Sequence, residues 1–174
     1  MSVNAPESAV ELARKESHYI KLLKQNDGLL SRICRSFAVN EADYKDLKQD
    51  AMINIWNGLD LFRNESDIRT WLYRVILNTC VSTYRKRKKF QSASIEEAEN
   101  ISSAKDVYED IQWINTLLAS LTPDNHAIML MWLDGLEYEE IGEIMGLNRN
   151  TIATKIRRAK EKLKQLLKIN EYGY

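Results

Sequence analysis

Proline and glycine are scarce, two and six in 174 residues. So little punctuation excludes collagen-like and low-complexity chains, and it disfavours β architectures that need a tight turn every ten residues or so. No run of eighteen apolar residues occurs, so no membrane-spanning helix is expected. The opening MSVNAPESAVELARKESHY is polar and has no apolar h-region, so no secretory signal is expected. Cys34 and Cys80 stand far apart and outside any CxxC pair. They read as reduced thiols of a cytoplasmic protein, not as a disulfide or a zinc site. Histidine is equally sparse. His18 and His126 are far from either cysteine in sequence, and no Gly-rich phosphate loop occurs. No metal site, cofactor, small-molecule substrate or catalytic set is therefore expected, and the chain does not read as an enzyme.

What is present is helical periodicity and sorted charge. Lysine plus arginine and aspartate plus glutamate number 25 each, for a formal net charge of zero. The balance conceals segregation. Residues 85–89 read RKRKK, while residues 92–112 hold six acids against Lys105 alone. Residues 134–143 hold five acids and no base, and residues 149–168 hold eight bases against Glu161 alone. A single charged run is usually a solvated face. Two basic runs, each ending an amphipathic helix and divided by an acidic stretch, suggest two contacts with a polyanion.

Apolar residues recur at three and four from about 8 to 37, at Tyr19, Leu22, Leu23, Leu29, Leu30, Ile33 and Phe37. Asn40 is placed to cap a second helix carrying Tyr44, Leu47, Ala51, Ile55 and Leu59, widened by Met52 and Trp56. A third helix is expected over about 67–88, with Ile68, Leu72, Val75, Ile76 and Thr79 inward and Arg74, Asn78, Ser82 and Arg85 on a polar stripe. From Phe90 to about Tyr108 the composition turns Ser- and Glu-rich with no sustained stripe, which reads as a flexible linker. The chain therefore reads as all-α, with two small helical domains at 8–90 and 109–170 joined by a linker over 91–108. In the second, Ile111 to Leu121 form one helix, and another starts with Thr122 as its cap and Pro123 at its first position and is ended by Asp134-Gly135.

The last forty residues carry a helix-turn-helix pattern. Ile141, Ile144 and Met145 are the buried positions of a first helix, and Gly142 lacks a side chain where the second must cross closely. Gly146 supplies a left-handed turn, Leu147 plugs the hinge, and Asn148 caps the second helix. Ile152, Ile156, Ala159, Leu163 and Leu166 set its inward stripe. At about 100° of rotation per residue, Asn150, Thr151, Thr154, Arg157 and Arg158 face outward, chemically suited to base edges and phosphates.

At this point a resemblance becomes definite. LEYEEIGEIMGLNRNTIATKIRRAKEKL is similar to region four of bacterial sigma factors of the sigma-70 family, extracytoplasmic-function group. DLKQDAMINIW resembles the region two helix of that family, and FRNESDIRTWLYRVILN followed by YRKRKK resembles its promoter-opening segment. Order and spacing agree over about residues 10–168. The resemblance implies an alternative sigma factor, an all-α subunit that binds core RNA polymerase through the β′ clamp and the β flap and recognises promoter DNA. Carried over by position, Asp46, Leu47, Gln49, Asp50 and Asn54 would contact the polymerase, with Trp56 in the core. Asn64, Ser66, Arg69 and Thr70 would capture a flipped −10 base, while Arg74, Asn78, Arg85, Lys86 and Arg87 hold the strand. Arg149, Asn150, Thr151, Thr154, Lys155, Arg157 and Arg158 would read the −35 element. Trp71 reads as core. A membrane-bound anti-sigma factor, common in the family, enters as a candidate partner. Lys45, Ser82, Thr122 and Asn150 depart from the family pattern, where Glu, Asp, Pro and Gly are usual.

Two rivals are weaker on the same residues. An activator with a C-terminal helix-turn-helix would need a receiver or ligand domain upstream, yet residues 1–90 show no α/β alternation. A purely structural helical adaptor has no use for two basic patches.

Overall fold

A computed structural model of the chain describes residues 5–63, 66–91 and 109–171. Those residues form seven helices, and no strand occurs among them: α1 (Ala5–Phe37), α2 (Glu41–Leu59), α3 (Ile68–Gln91), α4 (Glu109–Ala119), α5 (Pro123–Leu133), α6 (Tyr138–Met145) and α7 (Arg149–Glu171). Asn64, and the expected linker from residue 92 to 108, lie outside the described residues.

The helix ends follow local chemistry. Asn40 caps α2 by accepting the Asp43 N–H at 2.9 Å, and the Asp43 carboxylate accepts the Val39 N–H at 2.8 Å in return. Asp67 stands before α3 and accepts the Arg69 N–H at 2.7 Å. Thr122 is extended before Pro123 at the start of α5, but its hydroxyl makes no cap bond. The expected threonine cap is therefore a proline start, with φ set by the ring rather than by a side-chain hydrogen bond. Asn26, at φ −119° and ψ 15°, kinks α1, and its amide donates to the Leu22 carbonyl.

Helices α1, α2 and α3 pack as one bundle around Leu30, Ile33, Leu47, Ile55, Leu72 and Ile76, all nearly fully buried. Each such side chain contributes about 1.5–3 kcal/mol of apolar burial. The second unit builds on Leu118, Ile128, Met131, Ile141, Ile152 and Ile156. The two helical units pack against each other: α1 meets α4, and α3 meets both α5 and α6. The cause lies in α5, where six consecutive residues from His126 to Met131 are buried. A helix apolar on all sides has no face to turn to water and needs neighbours all round.

Candidate nucleic-acid and polymerase surfaces

The turn between α6 and α7 is built from backbone constraints. Gly146 sits at φ 67°, ψ 32° and ends α6, donating its N–H to the Gly142 carbonyl. The Leu147 N–H reaches that same carbonyl at 2.9 Å. A Cβ on Gly142 would fall 2.6 Å from the Leu147 carbonyl oxygen. The missing side chain thus makes room for the turn's backbone more than for the second helix, whose Ile152 stands 3.8 Å away. Asn148 accepts the Thr151 N–H at 2.8 Å and starts α7. Glu137 and Glu140 form a capping box at the start of α6.

That scaffold aims the face of α7. Ile152, Ile156 and Ala159 are buried, and Arg149, Asn150, Thr154, Arg157 and Arg158 are exposed. Thr151 and Lys155 are half-buried at its edge. Two of the arginines have partners: Arg149 reaches Glu139 at 2.5 Å, and Arg157 reaches Glu161 at 2.8 Å one turn on. Exposed pairs of this kind are worth about 0–1 kcal/mol and yield to a phosphate. The Thr154 hydroxyl is engaged with the Asn150 carbonyl at 2.9 Å.

On α2, Asp46, Gln49, Asp50 and Asn54 are exposed on one side of the bundle. Leu47 is not. It is 1% exposed, because it sits on the inward stripe with Ala51 and Ile55, so it supports this surface from behind and is not part of it. Trp56 is half-buried, edge-on to Tyr19 at 5.1 Å with the Lys15 ammonium over its ring. The Asn54 amide donates to the Thr79 hydroxyl at 2.9 Å, linking α2 to α3. A cleft of about 410 Å³ lies along this junction, lined by Asp50, Asn54, Asn78, Ser82 and Lys86. The acidic surface and one edge of the polar α3 stripe are therefore neighbours, which separate motif matches do not reveal.

A second cleft, of about 570 Å³, is lined by Leu61, Phe62, Arg63, Ser66, Trp71 and Arg74 from the first unit and by Glu143 from the second. Trp71 is half-buried, as its core reading requires in part: its ring lies 3.0 Å from where a Gly58 Cβ would stand and 5.3 Å from the Phe62 centroid. One edge of it still lines the cleft. Phe62 and Arg63 open the stretch that resembles the promoter-opening segment, although neither was singled out there; the 78%-exposed Leu61 lies just outside it, and a large apolar residue in a polar loop was the available signal. Arg69 is exposed, with its guanidinium 6.0 Å from the Tyr73 ring, and Thr70 is half-buried.

The strand-holding set divides. Asn78 and Lys86 are exposed. Arg87 is turned inward: it pairs with Asp43, and its Nε and second amino nitrogen are buried without a hydrogen-bond partner. It ties the end of α3 to the start of α2, so its place with the exposed phosphate-binding bases is corrected. Arg74 and Arg85 are engaged across the junction of the two units. Arg74 donates to the Glu143 carbonyl at 2.6 Å and lies 3.5 Å from its carboxylate. Arg85 meets both oxygens of Asp124, at 2.7 and 2.9 Å.

The same junction holds two marked electrostatic perturbations. Burial lowers the His126 imidazole to about 4; its Nε2 lies 2.7 Å from the Ser36 hydroxyl, and its ring stacks on Phe37 at 4.1 Å. Burial, helped by a hydrogen bond to Asp134, pushes the Tyr73 phenol up to about 12. Asp134 accepts from both Tyr73 and Arg32, at 2.8 and 2.7 Å.

Comparison with known proteins matches both units in order. Residues 22–90 match the family Sigma-70 region 2, and residues 111–163 match Sigma-70, region 4. The chain is 34% identical over 139 residues to the ECF RNA polymerase sigma-E factor of Escherichia coli, covering 71% of this chain and 73% of that one. It is 30% identical over 129 residues to the RNA polymerase sigma factor SigV of Bacillus subtilis, covering 74% and 78%. The chain belongs to the extracytoplasmic-function group of the sigma-70 family. It is an alternative sigma factor, directing promoter-specific transcription. Among solved structures, this sigma factor is similar to RpoE of Bartonella quintana, determined with the anti-sigma factor NepR: TM-score 0.72, 26% identity, 87% of this chain and 98% of that one. CnrH, determined with the cytosolic domain of CnrY, shares its fold at TM-score 0.66 and 24% identity, over 88% and 89% of the two chains.

Of the four positions read from the sequence as departures from the family pattern, Lys45, Ser82 and Asn150 are exposed on these surfaces; Thr122, also exposed, stands at the start of α5.

Proposed function

We propose that this sigma factor divides its work among three faces. Asp46, Gln49 and Asp50 on α2, with Asn54 beside them, dock on a basic surface of core RNA polymerase. Ser66, Arg69, Thr70, Arg74, Asn78, Arg85 and Lys86 take the melted −10 strand, and the Phe62–Trp71 cleft receives an unstacked base. Arg149, Asn150, Thr151, Thr154, Lys155, Arg157 and Arg158 lie along the −35 duplex. The domains run over 8–90 and 109–170. The observation that carries the reading is the opposed chemistry of two exposed helix faces, acidic on α2 and basic on α7, each within its own matched region.

The protein makes no bond itself and works in the cytoplasm, where polymerase and promoter are found. Two modest DNA contacts on one tether gain from effective concentration, so neither region needs to bind tightly alone. RpoE of Bartonella quintana, solved with the anti-sigma factor NepR, supports a polypeptide inhibitor as a partner here. The test is promoter-dependent initiation from a library of genomic fragments by core polymerase with and without the purified chain. New start sites that vanish with Asp46→Lys plus Asp50→Lys support the assignment. Binding to duplex DNA as a dimer, with no effect on core, would favour an activator.

A further inference from the structure

Leu61 is an apolar side chain that the fold leaves in water. It is 78% exposed, against 40–53% for the other exposed large apolar side chains among the described residues. A scattered exposed leucine is ordinary on any surface, but this one is rigidly mounted. The Leu61 N–H donates to the Gly58 carbonyl at 3.0 Å and the Phe62 N–H to the Leu59 carbonyl at 3.3 Å, so two successive tight turns carry it off the end of α2. Behind them the Trp71 ring packs on Gly58, 3.0 Å from where a Cβ would stand, which ties the turn to α3. Its neighbours on both sides are held, Asp60 by the Lys15 ammonium and Phe62 by the Trp71 ring.

The setting suits the edge of a duplex. Leu61 lines the same cleft as Phe62 and Trp71, to which the proposed function gives an unstacked base, and the exposed Arg63 is on the same wall. The two acids nearby are engaged, Asp60 with Lys15 and Glu143 with Arg74. Extruding one base leaves a gap in the stack, walled by the apolar faces of the neighbouring bases. Filling that gap takes an apolar side chain in solvent, within reach of the receiving cleft, and leucine is among the wedges proteins insert between base steps. Rigid mounting matters because a mobile side chain loses part of the gain to its own ordering. We propose that Leu61 is a melting wedge: it enters the stack beside the base that the Phe62–Trp71 cleft receives, and holds the duplex edge open there. The inference rests on the −10 reading of that cleft. A wedge offsets the cost of unstacking and so acts on paired DNA; where the strands are already apart it has no task.

The experiment compares initiation by core polymerase carrying the full chain on one promoter recovered from the genomic fragment library. The promoter is supplied either as full duplex or with noncomplementary strands over the −10 element. Leu61→Ala should lower initiation from the duplex about tenfold, the scale of one lost stacking contact, with the loss confined to that template. Permanganate reactivity of the −10 thymines on the duplex should fall with it. Leu61→Phe, another apolar wedge, should keep duplex initiation near that of wild type. Because Leu61 is exposed, the urea midpoint of Leu61→Ala should not move. Equal initiation from the duplex by wild type and Leu61→Ala overturns the proposal. So does an equal loss on both templates, which would make Leu61 a contact to polymerase or to the single strand. Arg69→Ala plus Thr70→Ala tests the underlying reading. If that variant loses initiation on both templates while Leu61→Ala behaves as wild type, the −10 reading stands and the wedge falls. If both variants match wild type throughout, both fall together.

Discussion

Lowering the pH from 7.5 to 5.0 tests the junction of the two units through His126. The imidazole is 2% exposed, hydrogen-bonded through Nε2 to the Ser36 hydroxyl and stacked on the Phe37 ring, and burial lowers it from 6.5 to about 4. Its pKa in the folded chain lies below that in the unfolded chain, so the unfolded state takes up the proton first. The stability held by neutral His126 is therefore full above 6.5 and is lost progressively as pH falls toward 4. With those two values, linkage gives a loss of about 2 kcal/mol at pH 5.0 and almost none at pH 7.5. Other carboxylates also begin to titrate near pH 5, so the decisive quantity is a difference of differences. Urea unfolding of wild type and His126→Gln at both pH values supplies it. The wild type should lose about 2 kcal/mol more than the variant on acidification. Equal losses in the two proteins would mean that His126 is not held neutral by the fold, and the reasoning from its burial would fail.

Other consequences are as direct. Gly142→Ala places a Cβ 2.6 Å from the Leu147 carbonyl oxygen, a backbone atom that cannot swing aside; denaturant midpoints should report a loss of about 1–3 kcal/mol. Arg157→Ala plus Arg158→Ala should weaken −35 duplex binding and reduce the slope of log K against log salt by about 1.8, with polymerase binding unchanged; loss of polymerase binding in a gel-shift with core would show the α7 face misassigned. Tyr73→Phe removes one donor to Asp134 and leaves Arg32, so thermal or urea unfolding should show a loss of about 0.5–1.5 kcal/mol.

Much of this was legible in the sequence because it rests on local rules. The caps at Asn40 and Asn148, the left-handed Gly146 and the inward stripe of Ile152, Ile156 and Ala159 follow from dihedral preference and period alone. Leu47 shows the limit of carrying a motif across by position: a stretch that matches a binding helix includes the residues that hold it from behind. Arg87 shows another, since a run of five bases has members on every side of a helix, and the one facing Asp43 is half-buried. The junction of the two units was not legible at all. Its partners lie between 39 and 102 residues apart, and no periodicity relates Asp134 to Arg32 or His126 to Ser36. The apolar run of α5 was the one hint, since a helix of a free-standing four-helix unit would ordinarily keep a wet face.

That run has a further consequence for how the protein lives in a cell. If the two units came apart, the side of α5 that α1 and α3 cover, with Phe37 opposite, would be laid open to water. An opened sigma factor with no polymerase at hand would present a fresh greasy face, the usual signal for chaperone capture, self-association or proteolysis. The packing of α5 therefore ties the two units together: neither can turn away without uncovering apolar side chains of the other.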